Sequence, residues 1–161
     1  MISEVDRNHL ERAAALAEEA LQYGDEPFGS VLVSEKGEVL FEDRNRIASG
    51  DKTLHPEFAI ARWAANYMTE FERSAATVYT SGEHCPMCAA AHAWVGLGRV
   101  VYISSSEQLA IWLSEMGVAP PPVEMLPIKQ IAPRVPVEGP VLDLAERVKM
   151  MHQRLHSSGG Q

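Results

Sequence analysis

Two short stretches carry side chains whose types and spacing could do chemistry: "HPE" at residues 55–57 and "CPMC" at residues 85–88. The second holds both cysteines of the 161-residue chain. In each, a candidate metal ligand is followed at once by proline, and a helical pattern begins. Proline suits the first helical position, where its missing N–H has no partner to lose. His55 and Cys85 are therefore expected at helix starts, with Cys88 one turn into its helix and facing the same point. A helix N-terminus carries partial positive charge, which favours the thiolate that a metal requires. Two thiolates and one imidazole suit tetrahedral zinc and leave one position open for water, whereas a structural site would be closed by a fourth ligand. Zinc brings the pKa of such a water to about 7. Glu57 lies close enough to reach that water without being a ligand, and can act as general base and then general acid.

Each motif alone has other readings. CxxC also fits a thioredoxin-like redox pair, or half of a zinc finger closed by His152 and His156. That histidine pair lies far beyond finger spacing, and the polar side of a last helix is its simpler place. H-x-E followed by C-x-x-C, with no spare cysteine, points instead to one catalytic zinc per chain, held by His55, Cys85 and Cys88. A zinc-stabilised binding module is the non-enzyme alternative, and Glu57 discriminates, because a structural site has no use for a carboxylate beside an open position.

The elements that must position these residues follow from pattern. Ser3 and Asp6 form a capping pair ahead of a helix with Leu10, Ala13, Ala14, Ala17 and Leu21 at helical spacing, ending near Gly24. "FGSVLV" and "EVLFE" around "SEKG" read as a β-hairpin. A buried helix follows "HPE", then the strand "ATVYTS", the "CPMC" helix, the strand "RVVYISS" and a short helix "EQLAIWLSEM". The Pro-rich segment 119–127 leads to a last strand expected around Ile128–Ile131. Gly139-Pro140 starts a C-terminal helix with Val141, Leu144, Val148, Met151 and Leu155 on one face. The expectation is one domain over residues 1–156, with 157–161 as a frayed tail: a mixed sheet covered by helices on both faces. Apolar residues make up 46%, which opposes disorder, and the longest apolar runs are far short of a membrane span. The polar start and the two cysteines suggest a cytoplasmic address. A net charge of −8 disfavours a nucleic-acid partner.

The motifs resemble those of the zinc-dependent nucleobase and nucleoside deaminases of the cytidine/deoxycytidylate deaminase-like superfamily, whose signature is H-x-E…P-C-x-x-C. The similarity runs through "EPFGSVLV", "RNR…DKTLHPE", "YTSGEHCPMCAAAHAW" and "RVVY", and is nearest to guanine deaminases and tRNA adenosine deaminases. It implies a three-layer α/β/α fold with a mixed five-stranded sheet, a homodimer, zinc on His55, Cys85 and Cys88, and Glu57 as the proton shuttle. It also implies that Asn45 hydrogen-bonds the substrate ring, that Phe28 stacks on a purine-type base, and that Trp94 belongs to the same branch. The sequence departs from the pattern in three places. His84 stands where proline usually precedes the first cysteine, and is expected to be exposed, either touching substrate or simply solvated. Pro56 replaces an alanine whose N–H faces the substrate, so the pocket is expected not to read the ring through residue 56. "AIWLSEMGV" offers Glu115 where guanine deaminases carry a specificity-setting acid. His92 is read as a packed helix residue or a partner of a metal ligand, and Trp112 with 119–127 as a pocket wall or a surface loop. The implied activity is hydrolytic deamination of a free purine-type base, a small-molecule heterocycle, with release of ammonia. Adenosine in tRNA is the runner-up, and cytosine or a nucleoside the third reading.

Overall fold

The computed structural model describes residues 1–159. Helix α1 (Glu4–Gln22) opens with the expected capping box, in which Ser3 Oγ accepts from the Asp6 N–H and the Asp6 carboxylate accepts from the Ser3 N–H. Strands β1 (Gly29–Val33) and β2 (Val39–Arg44) form the hairpin. Helices α2 (Pro56–Tyr67) and α3 (Glu70–Ala75) lead to β3 (Thr77–Gly82), followed by α4 (Pro86–Trp94), β4 (Arg99–Ser104) and α5 (Ser106–Glu115). A helical turn α6 (Ile128–Ile131), the two-residue strand β5 (Val137–Glu138) and α7 (Leu142–Gly159) complete the described chain. The five strands form one mixed sheet in the order β2-β1-β3-β4-β5. The β2-β1-β3 pairings are antiparallel and the β3-β4-β5 pairings parallel.

Period-two alternation assigns the two faces. Val31, Val33, Tyr79, Val101 and Ile103 pack with α1 and α7 on one side. Leu32 and Val78 pack with α2, and Val100 with α4 and α6, on the other. The same alternation places Ser30 and Thr80 on the α2 side, where their hydroxyls meet Glu57. Helix α1 lies close to β1 because its buried stripe is mostly alanine. At Gly29 a Cβ would stand 2.4 Å from Ala13 O and 2.5 Å from Leu16 Cβ, so only glycine fits between helix and strand. Asp6 ties this layer to the sheet. Beyond its capping role it accepts from the Tyr79 hydroxyl at 2.6 Å and from Arg99 at 2.9 Å, and Arg99 also pairs with Glu138 of β5.

The expected fold class and element order hold, with differences at the C-terminal end. Residues 128–131 are helical, not a strand. Ile128 and Ile131 are three apart, so one helical turn points both into the core formed with Val100 and Val135. The Glu83 carboxylate fixes that turn by accepting the Ile128 N–H at 2.6 Å, while its other oxygen accepts the Ser106 N–H that opens α5. The last strand instead lies at Val137–Glu138, and α7 starts at Leu142, past Gly139-Pro140. Helix α7 runs to Gly159, three residues into the expected tail, and residues 160–161 lie outside the described residues. Among the described residues, no helix is long and apolar enough to cross a membrane.

Gly29→Ala is expected to lower unfolding free energy by about 1–3 kcal/mol or more, because the added methyl must push α1 away from β1. Urea denaturation of both proteins measures it.

Candidate metal centre and active site

His55 and Cys85 are the N-cap residues of α2 and α4, each in extended conformation with proline at the first helical position, as the motifs predict. The two helix starts meet. His55 Nδ1 lies 3.5 Å from Cys85 Sγ and 3.6 Å from Cys88 Sγ, and all three donor atoms fall within 4.8 Å of one another. Metal–sulfur bonds of about 2.3 Å and metal–nitrogen bonds of about 2.0 Å in a tetrahedron place neighbouring donors about 3.5–3.8 Å apart. The donor set and its spacing therefore fit one tetrahedral ion.

The thiols polarise each other. The Cys88 thiol donates to Cys85, which with His55 nearby holds the Cys85 thiol down to about 4. Cys88 is pushed far up by the same hydrogen bond and by burial. His55 is raised to about 8, first by its hydrogen bond with Cys85.

Glu57, in the first turn of α2, is buried beside this group. Its Oε1 lies 3.1 Å from Ser30 Oγ and 2.9 Å from Thr80 Oγ1. Burial raises its proton affinity, and the Cys85 thiolate adds to the effect. A carboxyl whose proton affinity is raised in this way is suited to both taking and giving a proton.

Asn45 follows β2. Its N–H donates to Phe28 O at 3.0 Å and its Oδ1 accepts from the Ile47 N–H at 3.1 Å, which leaves the side-chain NH2 available to a ligand. The loop is fastened by a buried ion pair. Asp25 accepts from Arg44 at 2.7 Å and from the Ala48 N–H at 2.8 Å, and Arg44 also donates to Asn45 O. The Phe28 ring lies against Gly82, where a Cβ would come within 3.0 Å of it, and stands edge-on to His152 with centroids 5.2 Å apart.

The structure thus brings together His55, Pro56, Glu57, Cys85 and Cys88, and separately links Asn45 to Phe28 through a backbone hydrogen bond. Pro56 is buried and serves as the helix-starting residue. Three proposed substrate contacts fall elsewhere in this chain. Trp94 ends α4, about 13 Å along the helix from Cys85 by helical rise, and is 88% exposed. Glu115 is exposed at the last residue of α5. His84 is only 1% exposed, not solvated as expected. Glu83 turns towards α5 and α6, and the next ring tucks in edge-on against His92 at 5.2 Å. His92 itself is a packed helix residue, with Nε2 2.7 Å from Gly98 O. Trp112 is buried next to His152, while residues 119–127 form a largely exposed loop.

Two features escape the motif reading. His152 is 2% exposed, where the polar side of α7 was expected, and it sits between Phe28 and Trp112. The signal was the spacing Leu144, Val148, His152, which puts the histidine on the buried stripe. Glu26 is the other. Burial raises its carboxyl, opposed by His55, His156 and Lys52, so it lies in the same neighbourhood. Its place beside "PFG" was the available clue.

A two-thiol, one-imidazole group at two helix starts, with a buried carboxylate beside it on a mixed five-stranded sheet, is the arrangement of a metal-dependent hydrolytic domain. Residues 3–104 match the family described as the cytidine and deoxycytidylate deaminase zinc-binding region, and the chain belongs to that family. It is 32% identical over 120 residues to a probable cytosine deaminase of Schizosaccharomyces pombe, covering 74% of this chain and 73% of that one. It is 34% identical over 103 residues to a guanine deaminase of Bacillus subtilis, covering 63% and 65%. A solved guanine deaminase from Nitrosomonas europaea has the same fold, with a TM-score of 0.69 at 16% identity over 98% of this chain and 86% of that one.

Asp25→Ala leaves Arg44 as a buried charge without its carboxylate and is expected to cost about 3–5 kcal/mol of stability. Thermal unfolding of wild type and variant, with folded content checked by circular dichroism, measures the loss.

Proposed function

We propose that the protein is a zinc-dependent aminohydrolase that removes an exocyclic amino group from a free purine-type base, releasing ammonia and leaving a ring carbonyl. The observation that carries the reading is Glu57, buried beside His55, Cys85 and Cys88 and hydrogen-bonded to the Ser30 and Thr80 hydroxyls. A structural metal site has no use for that carboxylate. Zinc, when bound by the three ligands, supplies the Lewis acidity that lets water attack at neutral pH. Glu57 would take one proton of the attacking water and pass it to the ring nitrogen beside the attacked carbon, then take the second from the hydroxyl left on that carbon and deliver it to the departing amine. Asn45 donates its amide NH2 to a ring acceptor and fixes the orientation, and Phe28 stacks on the base. Pro56 has no N–H to offer, so orientation rests on Asn45 and the pocket walls. The purine-type reading is supported by Phe28 and by the similarity to a guanine deaminase. Cytosine is the second reading, favoured by the similarity to the Schizosaccharomyces pombe protein. The net charge of −8 opposes a tRNA substrate.

We read the working unit as a homodimer. Trp94 and Phe71 are large apolar side chains, 88% and 70% exposed, on one groove with Ala65 and Val95. Burial of such a patch is favourable at about 25 cal/mol per Å².

An ammonia-release screen of the metal-loaded protein against bases, nucleosides, pterins and triazines tests the reading. The expected outcome is turnover of a purine-type base. Glu57→Gln should keep one zinc per chain by metal analysis and lose about 10²–10⁴-fold in turnover. Cys88→Ala should lose the zinc. Near-normal ammonia release by Glu57→Gln would sink the mechanism. Light scattering at micromolar concentration should find a dimer, and Trp94→Glu should shift it towards monomer; a monomeric wild type refutes the assembly.

A further inference from the structure

Ser30 of β1 and Thr80 of β3 stand opposite each other in the antiparallel register, and both are fully buried. An apolar pair would extend the rows of Leu32 and Val78 with no polar group to desolvate. The two hydroxyls instead meet one atom. Glu57 Oε1 lies 3.1 Å from Ser30 Oγ and 2.9 Å from Thr80 Oγ1, and the Ser30 hydroxyl lies 2.8 Å from Thr80 Oγ1. Thr80 Oγ1 is itself held 2.9 Å from Gly82 O. The last torsion of a glutamate side chain is broad, so an unsupported carboxylate samples many planes. One donor would serve as a pivot for that motion, whereas two donors on neighbouring strands oppose it. The Cys88 thiol and the N–H of Glu57 itself also hydrogen-bond the carboxylate. A metal-bound cysteine is a thiolate and has no proton to give. Of these donors, the N–H and the two hydroxyls are then the ones that remain.

We propose that Ser30 and Thr80 are positioning residues for the reaction: they hold Oε1 of Glu57 so that the carboxylate presents Oε2 to the attacking water, the ring nitrogen and the departing amine. The inference rests on the deaminase reading and adds a role for two residues that touch neither metal nor substrate. Small misplacement of a reacting group lowers the rate steeply, because few of its orientations are productive. Binding of the base does not involve the two hydroxyls, so their effect falls on kcat and not on KM.

The test uses Ser30→Ala, Thr80→Val and Thr80→Ser, each alone and in a Glu57→Gln background, with zinc content and melting temperature checked for every protein. Ammonia release from guanine, or from cytosine should guanine be left untouched, gives kcat and KM. Ser30→Ala and Thr80→Val should each lower kcat about tenfold, the equivalent of about 1.4 kcal/mol, with KM unchanged. Thr80→Ser keeps the hydroxyl and should recover most of the loss. With the carboxylate gone in Glu57→Gln, the same substitutions should have no further effect on turnover. Crystal structures of wild type and Thr80→Val should show the Glu57 carboxylate turned in the variant. Wild-type kcat in both hydroxyl-free variants overturns the inference while leaving the deaminase reading intact. So does a loss that persists undiminished in the Glu57→Gln background, which would put the effect of the hydroxyls elsewhere. A rise in KM at constant kcat would mark a substrate contact and overturns it as well. An equal loss in Thr80→Val and Thr80→Ser, with lowered melting temperature or zinc content, would mark a packing role and does the same. If wild type releases ammonia from neither base, the reading of the site as a base deaminase falls and takes this inference with it.

Discussion

The structure depends on bringing two helix starts to one point. His55 and Cys85 lie 30 residues apart in sequence, and each belongs to a different helix on the same face of the sheet. Proline after each of them fixes where the helix begins, and with it the direction in which the ligand side chain leaves the backbone. Helix α2 and helix α4 must then pack side by side at the ends of β1 and β3. The core residues that do this, Leu32, Ile60, Ala61, Ala64 and Val78, have no chemistry of their own. They hold donor atoms from separate elements within 3.5–3.6 Å of each other.

The buried carboxylate is costly on its own terms, since removing Glu57 from water favours its neutral form. The sheet offsets part of that cost by polar substitution at two points of an otherwise apolar surface. Ser30 and Thr80 occupy positions that continue the rows of Leu32 and Val78, and their hydroxyls lie 2.8 Å apart. The Thr80 hydroxyl of β3 thus lowers a proton affinity that burial, first of all, raises. Asp25 and Arg44 do the same for the Asn45 loop, replacing secondary structure with a buried ion pair and a hydrogen bond to Ala48.

The local parts of this design were legible in the sequence. A capping box, a hairpin, two proline-started helices and an H-x-E…C-x-x-C pair are all short-range patterns. What escaped was long-range. Ile128 and Ile131 fit a strand or a helical turn equally well until Glu83, 45 residues upstream, is seen to accept the Ile128 N–H. His84 reads as a surface residue until His92 and the packing under α4 enclose it. His152 reads as polar because its residue type outweighs its place on the stripe of Leu144 and Val148. Trp94 was tied to the site by resemblance alone, and the direction of α4 carries it to the far end of the helix.

The Asp6 network has a consequence for the order of assembly. Asp6 is made well before its partners Tyr79 and Arg99, which follow 73 and 93 residues later. The strands that cover α1 are also late, because β1 finds β3 only after α2 and α3 have been made. A nascent chain that stops before β3 therefore has a first helix with an alanine-rich face and only the β1-β2 hairpin to receive it. Contacts of such long sequence separation slow folding, because the loop must close before they form. The helix made before every strand of the sheet is the one whose last anchor, Arg99, arrives only with β4.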